Sequence, residues 1–88
     1  MAGARVEYKA SVAADLDRLD RPVALRILTR IEKSLIGAGR AGEPLAGEFQ
    51  GLFRLRVGDD RVIYAKMAEG YLVLRIGHRG DVYRKGRP

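Results

Sequence analysis

The stretch Leu52-Phe-Arg-Leu-Arg-Val-Gly-Asp-Asp-Arg-Val-Ile-Tyr64 decides how this chain folds. Apolar and charged residues alternate over its first half, a Gly58-Asp59-Asp60 turn follows, and β-branched residues resume at Val62, which together predict a β-hairpin. Period-2 geometry sends the apolar residues of the first half to one face of a sheet and Arg54 and Arg56 to the other. Arginines on a sheet face add little stability, so we ask what they bind.

Length and composition narrow the class of protein. The 88 residues suffice for one domain, 1–88, that can fold alone. The chain has no cysteine and one histidine, so we expect neither disulfides nor a protein-built metal site, and no cofactor. No apolar run approaches the ~20 residues of a membrane span, and the N-terminus lacks the apolar segment of a signal peptide. We therefore expect a soluble, cytoplasmic protein without membrane contact.

The charge is strongly basic. Seventeen Lys and Arg against eleven Asp and Glu give a net charge of +6, and thirteen of the cations are Arg, which suits bidentate phosphate contacts. A partner that carries phosphate or other acidic groups is the natural inference. Ordinary charge for solubility is the alternative.

Before the hairpin the pattern predicts one strand and two helices. Residues Arg5–Lys9 alternate as a short edge strand. A helix capped by Ser11 follows, with Asp15 among the residues on its solvent side. Asp20 offers an N-cap oxygen for a second helix that ends at Gly37, and together the two helices form an αα-hairpin.

After the second helix, the Gly-rich residues 38–51 are typical of a surface loop. Beyond the central hairpin, Leu72, Leu74 and Ile76 alternate with Tyr71, Val73 and Arg75 in a third strand, and Asp81–Arg84 is a possible short last strand. The order β-α-α-β-β-β predicts an α+β fold, a small antiparallel sheet with the helical hairpin packed on one face.

This topology gathers five arginines. If the helices cover the apolar face, Arg54, Arg56 and Arg75 point to the opposite face, and Arg61 and Arg79 lie close enough to lean over it. Such a group favours a phosphate-rich ligand. Alternatively, some are solvated and the others pair with Asp59, Asp60, Asp81 or Glu48.

Four segments in order and spacing resemble the RelE/ParE superfamily of bacterial toxins, with the nearest likeness to the RelE branch: Pro44-Leu-Ala-Gly47, Gly51-Leu-Phe-Arg-Leu-Arg-Val-Gly58, Arg61-Val-Ile-Tyr64 and Gly77-His-Arg-Gly-Asp-Val-Tyr83. The likeness covers nearly the whole chain and implies a RelE-like fold. It also implies a toxin of a type II toxin–antitoxin system that cleaves mRNA on the ribosome.

In RelE-type toxins the ribose 2′-oxygen attacks the adjacent phosphate, which requires proton transfer and positive charge but no metal. The resemblance places the family's basic sheet residues on Arg54 and Arg56, its later arginines on Arg61 and Arg79, and its stacking tyrosine on Tyr83. Arg75 joins the substrate-binding set because it shares the predicted face. An arginine cannot act as a general base, so the proton transfer falls to another group.

Three other side chains are candidates for that transfer. His78 lies beside Arg79 and belongs to the residue type most often used for proton transfer near neutral pH, or else it makes only a local backbone bond. Tyr83 either shifts protons or stacks on a base, unless it simply packs. Glu43 precedes Pro44-Leu45, as does a catalytic glutamate in the YoeB-like branch of the superfamily.

The resemblance also implies partners and alternatives. A RelB-like antitoxin would cover the basic site in a hetero-oligomeric complex, while the ribosome and mRNA would be the targets. The alternatives are a ParE-like gyrase inhibitor without nuclease activity, and a degenerate toxin that only binds its antitoxin.

Overall fold

A computed structural model describes residues 5–37 and 42–82, and the structural statements below concern these residues. The chain begins with strand β1 (Arg5–Tyr8) and helices α1 (Val12–Asp17) and α2 (Arg21–Ile31), and α2 continues as a π-helical segment (Glu32–Gly37). The remaining strands are β2 (Glu43–Pro44), β3 (Leu52–Val57), β4 (Asp60–Met67) and β5 (Gly70–His78), with a 3₁₀ turn (Gly47–Phe49) between β2 and β3.

The five strands form one sheet in the order β1-β5-β4-β3-β2. The α+β class with a helical hairpin is confirmed, with two differences in the sheet. Strands β3, β4 and β5 pair antiparallel as predicted, but β2 lies within the predicted surface loop and adds a further antiparallel strand, and β1 pairs in parallel with β5, so the sheet is mixed. Parallel pairing needs a long crossover, and here the helices and three strands lie between the two partners.

The predicted hairpin joins β3 to β4 around a tight turn. The paired residues run from Leu52 opposite Ala65 to Val57 opposite Asp60. Gly58 adopts φ 61, the left-handed region that favours glycine, so this residue lets the chain reverse there.

The helices cover one face of the sheet. Ile27, Ile31 and Leu35 recur every four residues along α2 and the π-helical segment, and all three side chains are fully buried. Each contributes about 1.5–3 kcal/mol by leaving water. The sheet supplies the other wall of the core through Leu55, Val57, Val62, Tyr64, Val73 and Ile76.

A β-bulge changes the phase of β5. Ile63 pairs with Arg75 but Tyr64 pairs with Val73, which leaves Leu74 as an extra residue between them. Simple alternation placed three residues on the core face, namely Leu72, Leu74 and Ile76. The structure instead places Val73 and Ile76 in the core, because one inserted residue shifts the side-chain phase of the strand.

Asp15 also differs from expectation. Predicted on the solvent side of α1, it is only 6% exposed, since its Oδ2 accepts a hydrogen bond from the backbone N–H of Ile76 at 3.0 Å. Strand β1 pairs with β5 only as far as Val73, so the backbone N–H of Ile76 has no strand partner and Asp15 supplies its acceptor. Asp20 occupies the predicted N-cap position of α2, but its side chain makes no capping hydrogen bond.

The end of the described chain does not extend the sheet. Asp81 and Val82 lie in a turn after β5, and the rest of the possible last strand lies outside the described residues. Within residues 5–37 and 42–82, no helix is long and apolar enough to cross a membrane.

Candidate functional site

Three arginines share the sheet face that lies opposite the helices. Arg56 pairs directly with Arg61 across the hairpin, and Arg54 pairs with Ile63 on the same face. Their neighbours along β3, Leu55 and Val57, are buried in the core, as strict alternation along a strand requires. We call the surface formed by Arg54, Arg56 and Arg61 the arginine face.

A carboxylate lies among these cations. Glu43 Oε1 accepts hydrogen bonds from Arg54 Nη2 at 2.7 Å and Nε at 3.2 Å, and lies 3.3 Å from Arg56 Nη2. The Arg54 hydrogen bonds, followed by the charge of Arg56, lower the pKa of Glu43 below its usual range. Glu43 is therefore ionised at neutral pH and presents oxygen lone pairs on the arginine face.

The sequence reasoning named four other acids as partners for the arginines, not Glu43. The contact forms because Glu43 pairs with Arg54 and Pro44 with Phe53 in β2, a two-residue strand at the edge of the sheet. Two residues carry no readable periodicity. The one available signal was the Glu43-Pro44-Leu45 match to the YoeB-like branch.

Arg61 leans over the hairpin turn. Its Nη1 donates to the carbonyl oxygens of Gly58 at 2.8 Å and Asp60 at 2.9 Å. A guanidinium has five N–H donors, so Nε and Nη2 can still bind a phosphate. The two carbonyl contacts fix where those donors point.

Arg79 belongs to the same end of the sheet. Its backbone N–H donates to the carbonyl oxygen of Asp59 at 3.0 Å, which joins the end of β5 to the hairpin turn. The Arg79 side chain is exposed. The structure thus brings the backbone of Arg79 to the turn that precedes Arg61.

His78 lies elsewhere. It lines a cavity of about 210 Å³ with Asp15 and Leu19 of the helical hairpin, on the core side of the strand. Its Nδ1 faces the backbone N–H of Gly80 at 3.5 Å, a long local contact. Two strands separate β5 from β2, which sets His78 and Glu43 roughly 14 Å apart perpendicular to the strands, and the register offsets them further along the strands. The structure does not bring His78 to the arginine face.

Arg75 is also withdrawn from the arginine face. Register places it on that side, yet its Nε is 3.5 Å from Asp15 Oδ2, and its side chain is only 16% exposed. The bulge beside it and the open edge of β5 allow this turn toward α1. Arg75 is held by an acid of the fold and is poorly placed to bind substrate.

The remaining predicted site residue, Tyr83, lies outside the described residues. The turn that precedes it packs on the arginine-face side of β5, where Val82 is fully buried and a Cβ at Gly77 would lie 3.3 Å from its Cγ1. The face opposite the helices is therefore partly covered. Within the described residues, no group of three or more His, Asp or Glu side chains could hold a metal ion.

Solved toxin structures share this fold. The toxin–antitoxin complex RelBE2 from Mycobacterium tuberculosis contains a chain with 27% identity and a TM-score of 0.78, and the match covers 92% of the present chain and 97% of the other. A chain of the RelB-RelE complex from Methanococcus jannaschii has 17% identity and a TM-score of 0.68, covering 91% and 98%. A chain of the ParDE system from P. aeruginosa has 19% identity and a TM-score of 0.66, covering 85% and 95%. At these lower identities the last two show the fold alone.

Sequence comparison gives the family. Among curated protein sequences, none matches the chain significantly. The family described as the ParE toxin of the type II toxin–antitoxin system parDE matches residues 6–83, nearly the whole chain. The chain therefore belongs to this toxin family, within the RelE/ParE superfamily of type II toxin–antitoxin systems.

Proposed function

We propose that this toxin is a metal-independent endoribonuclease that cleaves mRNA on the ribosome. The observation that carries the proposal is the ionised Glu43 carboxylate held among the arginines of one exposed face. Cleavage by a ribose 2′-hydroxyl needs a proton acceptor beside positive charge, and this face offers both.

The residues divide the reaction between them. Glu43 takes the proton from the 2′-hydroxyl as the 2′-oxygen bonds to phosphorus, and Arg54 and Arg56 stabilise the negative charge that develops on the phosphate oxygens. Arg61 and Arg79 orient the phosphate. The bond from phosphorus to the 5′-oxygen breaks, and that oxygen takes a proton from Tyr83, one of the two roles that the sequence left open for this tyrosine. The products are a 2′,3′-cyclic phosphate and a 5′-hydroxyl.

The lowered pKa of Glu43 has a cost in catalysis. A carboxylate bound by two arginines is a weaker base than a free one, so proton transfer is less favourable. Substrate phosphate that draws Arg54 and Arg56 toward itself would weaken their hold on Glu43 and raise its basicity.

A second function is a ParE-like gyrase inhibitor that binds its target without cutting RNA. The description of the matching family favours it. In that case, the arginine face would bind an acidic surface, and Glu43 would serve only to limit its charge.

The test is induction of single variants in a bacterial host, followed by primer extension on messages and an assay for DNA damage. If the protein is a nuclease, Glu43→Gln and Arg61→Ala should each lower the rate of codon-internal cleavage by about 10²–10⁴-fold. Both variants should also lose growth arrest. Arg26→Ala is the matched control, since Arg26 is an exposed cation on α2, remote from the arginine face. DNA damage without RNA cleavage would favour the gyrase inhibitor.

The antitoxin is the partner that membership of a type II system implies. We infer that it is an acidic, RelB-like chain that folds on binding and covers the arginine face, because a basic surface suits such a segment. Arg54→Glu together with Arg56→Glu should weaken the complex in calorimetry, whereas Arg26→Glu should not. Equal binding by all these variants would place the antitoxin on another surface.

A further inference from the structure

A buried hydroxyl lies directly behind Glu43. The Tyr64 hydroxyl oxygen accepts a hydrogen bond from the backbone N–H of Gly42, the residue before Glu43. Tyr64 has no exposed surface. Its ring stacks on Phe53 and meets Tyr71 edge to face, with centroids 5.6 Å apart in both pairs. The hydroxyl is thus a fixed point of the core that reaches the start of β2.

Gly42 is confined on its other side by the sheet. A Cβ built at this position would overlap the carbonyl oxygen of Arg54, so the backbone of Gly42 lies directly against β3. Tyr64 and Arg54 therefore constrain Gly42 from two strands. Any larger residue at position 42 would have to push the chain away from the sheet.

Among the described residues, the other contacts of this segment are its pairing with β3 and the hydrogen bond from the Leu45 N–H to the Leu52 carbonyl oxygen at 2.9 Å. Strand β2 consists of two residues that pair only with β3, and both residues are exposed. The Glu43 carboxylate itself is on the surface, where ion pairs with arginine compete with water and add little order. The position of the backbone at Gly42 consequently decides whether the carboxylate stays between Arg54 and Arg56.

We propose that Tyr64 is a positioning residue, which through Gly42 holds the Glu43 carboxylate between Arg54 and Arg56. The geometric part stands on the contacts of Gly42. The catalytic consequence rests on the proposed function, in which Glu43 accepts the proton. A tyrosine that sequence reasoning would assign to the core alone thereby acts on the opposite face of the sheet.

The positioning is tested by following the titration of Glu43 with NMR in three variants. Tyr64→Phe retains the ring but leaves the Gly42 N–H without its acceptor, so the pKa of Glu43 should rise toward the ordinary value of 4.5. Tyr71→Phe is the matched control, and it should titrate like the wild type. Gly42→Ala disturbs the same contact without altering the aromatic core, because its Cβ would overlap the backbone of Arg54, and it should also raise the pKa of Glu43.

Kinetics then test the link to cleavage. Tyr64→Phe should lower kcat about 10-fold with KM within about twofold, since it displaces a reacting group and not the substrate. In a Glu43→Gln background the same change should have no further effect, because Tyr64 acts through Glu43.

The two proposals fail in different ways. If Glu43 titrates identically in Tyr64→Phe, Gly42→Ala and the wild type, the positioning role is overturned. If the titrations shift as expected but wild-type protein cleaves no message, the positioning role stands and the nuclease proposal fails. A loss of kcat that persists in the Glu43→Gln background would mean that Tyr64 affects cleavage by another route.

Discussion

Asp15 offers the sharpest test of how helix α1 is joined to strand β5. Its Oδ2 accepts the N–H of Ile76 at 3.0 Å and lies 3.5 Å from Arg75 Nε, and both partners are mostly buried. In Asp15→Ala the buried N–H loses its acceptor, which costs about 1–3 kcal/mol. Arg75 also loses its counter-charge, and a buried pair broken in this way costs about 3–5 kcal/mol, less here because Arg75 is partly exposed.

We therefore expect Asp15→Ala to lower the free energy of unfolding by about 3 kcal/mol. For a domain of this size, this corresponds to a fall in Tm of roughly 12–24 °C, measured by circular dichroism. Asp15→Asn retains an oxygen for the Ile76 N–H and removes only the charge, so about half of the loss should remain.

Asp17 provides the control for this pair of variants. It lies on the same helix and is exposed, so Asp17→Ala should change the free energy of unfolding by no more than about 0.5 kcal/mol. The reasoning is refuted if Asp15→Ala and Asp17→Ala have the same Tm. It is refuted in part if Asp15→Asn is as unstable as Asp15→Ala, since the backbone contact would then contribute nothing.

Three further predictions follow from single contacts. Gly70→Ala should separate β1 from β5 and lower Tm, because a Cβ at Gly70 would overlap the backbone of Arg5, whereas Gly80→Ala has open space and should leave Tm nearly unchanged. Gly58→Ala should cost about 1–2 kcal/mol in urea unfolding, since an L side chain is strained at φ 61; an unchanged midpoint would contradict the turn geometry. The pKa of Glu43 is lowered on folding, so its ion pairs stabilise the fold above the ordinary value of 4.5 and are lost as pH falls through the lower folded value. The difference in unfolding free energy between wild type and Glu43→Gln should thus be constant from pH 5 to 8. In more acid solution the wild type loses its ion pairs, so the difference should shift in favour of Glu43→Gln.

Local sequence patterns were enough to predict the central β3–β4 hairpin of this protein. The alternation in β3, the glycine turn and the resumption of apolar residues in β4 are readable because a strand repeats every two residues, so neighbours in sequence fix which face a side chain takes. Arg54 and Arg56 were therefore placed on the face opposite the core without knowledge of the rest of the fold. The αα-hairpin was readable for the same reason, from apolar residues at helical spacing.

Contacts between distant segments were not readable in this way. The bulge at Leu74 interrupts alternation in β5, and nothing in its local sequence marks the inserted residue. Asp15 is buried only because β1 ends at Tyr8 and leaves the Ile76 N–H without a strand partner, which is a property of the assembled sheet. Arg75 is withdrawn from the open face through that same acid.

The sequence by itself determined that one sheet face carries arginines and that the chain resembles the RelE/ParE toxins. Tertiary structure alone decided which acid lies among those arginines: β2 brings Glu43 beside Arg54 and Arg56, while the predicted histidine is on the helix side of β5. The physical reason is the range of the interactions. The face of a strand on which a side chain lies is set by the backbone within a few residues. A charge pair depends instead on which distant segments the folded chain brings together.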